Sequence, residues 1–204
     1  MDLWQDIASA HMILGETGKG IAILKAHNPC GLNDALIGMH LACQCSKPDE
    51  ALPFLSRGML TLVNMHLHLT LGYQKTFWLR KNYAEAEAFL QWALAFYPGL
   101  SQEGVTCPTA KLEALLWAML ADAQMHLHQP EQAEQSLRTA RRKALHFDAA
   151  PNYDANSIRF VNCGRQATSH DDMGEIAMDA IDAYVSESEC KSLAAVWEVV
   201  KREE

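Results

Sequence analysis

Four times along the chain a small residue is followed four positions later by a large apolar one, and three positions after that by another small one. The sets are Ala86-Leu90-Ala93, Ala51-Leu55-Gly58, Ala133-Leu137-Ala140 and, less regular, Gly20-Leu24-His27. Intervals of three and four residues place each set on one face of a helix. A second amphipathic segment precedes each set, and small side chains let neighbouring helices approach closely. The pattern therefore predicts helical hairpins stacked along the chain.

Apolar periodicity and breakers locate the pairs. The first runs over Asp2–Leu14 and Lys19–Ala26, with Gly15-Glu16-Thr17-Gly18 as its turn and Asn28-Pro29-Cys30-Gly31 as its exit. The second covers Asn33–Gln44 and Pro48–Val63, with Asn33 or Asp34 and Ser46 as N-caps. His66–Leu79 and Tyr83–Tyr97 form the third, and Thr109–His126 and Pro130–Leu145 the fourth, entered through a breaker-containing insertion at Gly99–Pro108. From Asp148 to His170 the helical pattern stops: Ala149–Asp154 is turn-like and Ser157–Cys163 alternates as an extended segment does. One reading folds that segment back along a groove as an internal ligand. Ser169-His170-Asp171-Asp172 has the composition of a helix start, and helices over Asp172–Val185 and Glu189–Arg202 would cap the array. The organisation is thus 1–147 repeats, 148–170 irregular and 171–204 acidic capping helices.

The third pair carries a recognisable motif, because Lys81-Asn82-Tyr83-Ala84-Glu85-Ala86 continues to Ala93 and Pro98 without a gap. In the fourth, Trp117, Leu120, Ala121 and Gln124 lie on the first helix and Ala133 follows Trp117 by sixteen residues. Trp4, Ile7, Ala8 and His11 repeat that layout, with Gly20 again sixteen residues on. These residues resemble the tetratricopeptide repeat family. Departures are Gly20 and His27 in place of Ala, the missing aromatic of the second pair, and a closing Pro that is clear only in the third. The resemblance implies an all-α fold: a right-handed α-solenoid of about four hairpins with C-terminal capping helices. In that family the first helix of each pair lines a concave groove. The corresponding positions are Asn33, Leu36, His40 and Cys43, then His68, Lys75 and Trp78, then Leu115, Asp122 and Met125. An aromatic and a thioether with only two firm charges of opposite sign suit an amphipathic helix or an apolar peptide. The basic clamp that grips acidic chaperone tails in the family is not evident.

With apolar residues at 49% and charged ones at 21% of 204, the chain can bury a continuous core. Apolar stretches such as Leu112–Ala123, interrupted by Glu113 and Asp122, are too short to cross a bilayer. The start Met1-Asp2-Leu3-Trp4 lacks a basic region and apolar run, so a cytoplasmic location is expected. Cysteines 30, 43, 45, 107, 163 and 190 form no framework and read as buried reduced thiols. Of the net charge of −8, most lies between Asp171 and Glu204, where ten acidic residues face three basic ones. No nucleic-acid footprint is visible in what remains. Arg138, Arg141, Arg142 and Lys143, with His146, fall at the end of a helix, where cations complement its dipole.

Chemistry is sparse. Met65-His66-Leu67-His68 recurs as Met125-His126-Leu127-His128, but histidines two apart on a helix point in nearly opposite directions and do not chelate one ion. The first copy is expected to open a helix and the second to close one. His40 and Cys43 have a helical ligand spacing, with Cys45 or Cys30 near, yet no second paired motif accompanies them. Cys43-x-Cys45 has the wrong spacing for a redox pair, and Gly15-x2-Gly18-Lys19-Gly20 lacks the strand and spacing of a phosphate loop. No catalytic residue, metal or cofactor is assigned. The expected function is a protein-interaction module, an adaptor, assembly subunit or secretion-type chaperone, that binds a protein or peptide partner and no nucleic acid or membrane, with a homodimer or a larger complex open. The alternative is a ligand- or peptide-sensing regulatory domain, with a metal protein or enzyme behind it. Changing Trp78 and Met125 to Ala is expected to weaken partner capture while leaving melting nearly unchanged.

Overall fold

The computed structural model describes residues 3–28, 31–162, 164 and 176–203, and among these the regular structure is helical, with no strand. The helices are α1 (Leu3–Ile13), α2 (Thr17–Ala26), α3 (Asp34–Cys43), α4 (Pro48–Leu79), α5 (Tyr83–Leu94), α6 (Ala110–His126), α7 (Pro130–Ala149), α8 (Ala177–Glu187) and α9 (Lys191–Lys201). Among the described residues none is long and apolar enough to cross a membrane. Of the described residues, 3–28 and 31–65 with 160–162 and 164 form one compact unit, and 66–159 with 176–203 form another.

Helix α7 runs on to Ala149, past the expected Leu145 and into the stretch read as turn-like, and α8 starts at Ala177 instead of Asp172; the helices depart from the periodicity in three further places. Pro48–Val63 and His66–Leu79 are one continuous helix, α4, because neither Gly nor Pro interrupts Thr61–Met65 and the apolar positions run on through it. Met65–His68 therefore lies inside a helix instead of opening one. The helix after Tyr83 ends at Leu94 and tightens into a 3₁₀ turn at Tyr97–Leu100, where Pro98 supplies no N–H. Ser157, expected to be extended, closes a second 3₁₀ turn, Ala155–Ser157, capped by the Asp154 carboxylate on the Asn156 N–H. Cys163, His170 and the expected helix start at Ser169-Asp172 lie outside the described residues, as do Pro29 and Cys30.

Helix-to-helix turns share one device. Gly15, Ser46, Lys81 and His128 all sit in the left-handed region, with φ of +80°, +54°, +53° and +59°. At three of them the next N–H reaches back five residues, from Glu16 to the His11 carbonyl, Asn82 to Phe77 and Gln129 to Gln124. A left-handed residue past the last helical turn lets the chain reverse while the final carbonyls stay hydrogen-bonded.

In the first unit Ala8, Ile21, Leu24, Ile37, Leu41 and Ala51 form the core. Its small residues act as the pattern predicts. A Cβ on Gly20 would come within 2.8 Å of the Ala8 carbonyl oxygen, and one on Gly58 within 2.9 Å of the Ala35 nitrogen. The polar residues around α3 tie the unit together. Asn33 donates to the His27 carbonyl (2.7 Å) and accepts from Gln5 (2.7 Å), and Asp34 is held by Asn28 (3.0 Å) and by Arg57 (2.8 Å). Asn33 is the residue before α3, yet its side chain makes no capping bond there.

In the second unit α6 is the central helix. Between Glu113 and Gln124 only Trp117 is not buried, because α5, α7, α8 and α9 all pack on it. Leu90 and Leu137, the large residues of two repeated sets, are fully buried, as are Ala86, Ala93, Ala133 and Ala140. Asp148, at the end of α7, accepts the N–H groups of Ala177 (2.6 Å) and Met178 (3.1 Å), which caps α8 from a distance in sequence. Arg138 pairs with Glu134 (2.6 Å) and Glu203 (2.8 Å), Arg141 donates to the Glu203 carbonyl, and Lys143 pairs with Glu113 (2.9 Å). These partners engage Arg138, Arg141 and Lys143 of the cluster assigned to the helix dipole.

Candidate interaction surface

Groove positions inferred from the resemblance fall into different environments. Asn33, just before α3, and His40 on it are buried, Leu36 packs against the core of its unit, and Cys43 is exposed. Cys43 thus departs from the expected buried thiols, because it sits on the solvent side of the last turn of α3; Cys107 is buried, while Cys45 and Cys190 are half-buried. His40 and Cys43 gain no third ligand: among the described residues no three of His, Cys, Asp and Glu gather as a metal site would require. On α4, His68 and Lys75 are exposed and Trp78 is half-buried. On α6, Leu115 and Asp122 are buried and Met125 packs against the core shared with α7, α8 and α9.

Asp122 shows what fills the fourth groove position. Its carboxylate accepts from the Tyr184 hydroxyl at 3.0 Å and from the Ser188 hydroxyl at 2.9 Å, so α8 and the loop after it are pinned onto α6. Burial raises its carboxyl above the ordinary range, opposed by those two hydrogen bonds. The same burial pushes the Tyr184 phenol up. His126 lies 3.7 Å from the carboxylate and stacks on Tyr83 with ring centres 3.9 Å apart. A serine, an aspartate and a histidine are therefore adjacent, but the aspartate stands between the other two. Ser188 donates to a carboxylate that already accepts from Tyr184, and it accepts the Cys190 N–H (3.0 Å). A nucleophile relay needs the imidazole in that middle place.

Another surface stands open. On the second half of α4 and on α5, Leu69, Tyr73, Leu79 and Trp92 are 50%, 48%, 75% and 59% exposed. Tyr73 and Trp92 belong to a ladder of rings: Tyr73 and Phe89 lie 4.8 Å apart, Phe89 and Trp92 5.3 Å, and Phe77 and Phe89 6.1 Å. The ladder is anchored inward by His66, 5.6 Å from Trp92, 4.3 Å from Phe96 and 5.4 Å from Tyr97. Neither ring nitrogen of His66 has a hydrogen-bond partner, and burial lowers its pKa. An imidazole kept neutral among rings adds to an apolar face that water covers poorly.

The first unit has a feature of its own, an apolar groove of 740 Å³ lined by Leu52, Pro53, Leu55, Met59, Phe160 and Val161 among others. Its far wall is docked by one side chain: the Ser56 hydroxyl accepts the Asn162 N–H and donates to the Phe160 carbonyl at 3.4 Å. Residues 160–162 and Gly164 thus lie along the first half of α4, and Phe160 takes a left-handed φ of +67° there. The reading that folds residues 148–170 back along a groove places the segment against a helix without saying which, and it does not single out Ser56, which reads as an ordinary helix residue.

No family model matches the chain, and no curated protein or solved structure is detectably similar to it.

Proposed function

We propose that this protein is an interaction module whose repeats belong to a tetratricopeptide-like α-solenoid, acting as an adaptor, assembly subunit or secretion-type chaperone that binds a protein partner. The observation that carries the reading is the aromatic face of α4 and α5, where Tyr73 and Trp92 of a ladder of packed rings are open to solvent, as are Leu69 and Leu79 of α4. Exposed tryptophan and tyrosine supply large contact areas at small entropic cost, and they dominate the energetics of protein interfaces. The α6 positions of the family groove contribute less, because Leu115 and Asp122 are covered by the protein itself.

The test is affinity purification of the tagged full chain from its own cell, compared with the variant carrying Tyr73→Ala and Trp92→Ala. A stoichiometric protein recovered with the native chain and reduced at least tenfold with the variant, at equal helix content, is the expected result. Equal recovery removes this face from the reading. The 740 Å³ groove of the first unit favours a second reading, a sensor for a small apolar ligand. A bound metabolite in place of a protein would bring that reading forward.

A further inference from the structure

We propose that the face of α4 and α5 receives an amphipathic helix whose apolar seam is flanked by acidic residues. The proposal rests on the interaction reading above and names its partner. Leu69, Gly72, Thr76 and Leu79 are spaced by three, four and three residues and are all exposed. That interval keeps one line of a helix against another helix over several turns. Two members of the line are small. The Thr76 hydroxyl donates to the Gly72 carbonyl at 2.8 Å, so a partner helix covering it strands no polar group.

Gly72 has no explanation inside the fold. A Cβ placed there meets nothing within 4 Å, and its φ is an ordinary helical one. A glycine in a helix interior is destabilising relative to alanine. Gly20 and Gly58 each face a close backbone neighbour, whereas Gly72 faces solvent in the middle of an apolar line. Close approach of a backbone from outside is the use that this position has left.

Charge selects the partner. Lys75, Arg80 and Lys81 are exposed beside the line and make no ion pair with any described residue. Asp49 and Glu50 belong to the first turn of α4; along residues 66–94 Glu85 is the exposed carboxylate, since Glu87 is half-buried and accepts from Gln91, Gln124 and Gln129. In a chain of net charge −8 this is a local excess of positive charge. A second copy laid on the same face would oppose these cations with their own equivalents, and acidic flanks would neutralise them.

The experiment titrates the full chain into fluorescein-labelled amphipathic peptides of about five helical turns, with Leu at the seam and either Glu or Lys at every flanking position. The Glu peptide is expected to bind at least about tenfold tighter than the Lys peptide at low salt, with the preference shrinking as salt rises. Gly72→Leu should weaken the Glu peptide about tenfold while the melting temperature stays level or rises, since leucine is the better helix former. The pair Lys75→Glu and Arg80→Glu should reverse the preference. Equal binding of both peptides, binding of neither, or indifference to Gly72→Leu overturns the proposal. So does a dimer of the chain that Gly72→Leu dissolves, which assigns the face to a second copy. If the peptides fail to discriminate while Tyr73→Ala and Trp92→Ala still abolish recovery of the cellular partner, the helix inference falls and the interaction reading stands.

Discussion

His66 carries an electrostatic consequence of the aromatic face. It is 7% exposed, its ring touches Trp92, Phe96 and Tyr97, and burial lowers its pKa from the ordinary 6.5. Below pH 6.5 the unfolded chain protonates this imidazole before the folded one does, so the unfolded state binds more protons and stability falls as the pH drops. His66→Phe keeps the ring packing and removes the proton. Between pH 7 and pH 5 the variant is expected to lose less stability than the native chain, measured by urea unfolding at each pH; parallel losses would show that His66 is solvated in the native state. Asp122 acts in the opposite direction, because its raised carboxyl favours the folded state at lower pH, so only the difference between native chain and variant isolates His66.

At the level of elements, the repeated turns explain how the chain reverses between helices without glycine at every turn. Gly15 adopts the left-handed conformation freely, whereas Lys81 and His128 do so with a Cβ in place. Replacing Lys81 by Gly removes that strain but frees the unfolded chain, and the balance is expected to stabilise the protein by about 0.5–1 kcal/mol. Denaturant titration checks it, and a loss of stability would mean that the Lys81 side chain contributes more than its backbone costs. The small residues of the helix faces act at the same scale. Gly20 and Gly58 sit where any Cβ meets backbone, which is why their sets could be read as helix–helix contacts from spacing alone. Leu55, by the same spacing expected in a core, is 38% exposed and lines the groove of the first unit together with Phe160 and Val161.

For the molecule as a whole, the inferred groove residues Trp78 and Met125 bear on stability. Trp78 stands edge-on to Tyr83 at 5.3 Å and to His126 at 6.0 Å, and Met125 packs into the core around α6. Substituting Ala at each is expected to cost about 1–3 kcal/mol, so their melting should drop visibly. Unchanged melting with lost partner binding would return them to a binding surface. What the sequence determined by itself is local. Helical periods, turn residues and the small positions of the hairpins depend on neighbours three to five residues away, and these were legible at Gly15, Gly58, Ala86 and Ala133. Tertiary structure alone decided which faces were covered. That α8 and the loop after it close over Asp122, that Asp148 caps a helix 29 residues on, and that Ser56 holds a segment more than 100 residues away are contacts between distant parts of the chain. No period along the sequence encodes such contacts. The open aromatic face follows from the same cause, since Tyr73 and Trp92 resemble core residues until packing leaves them outside.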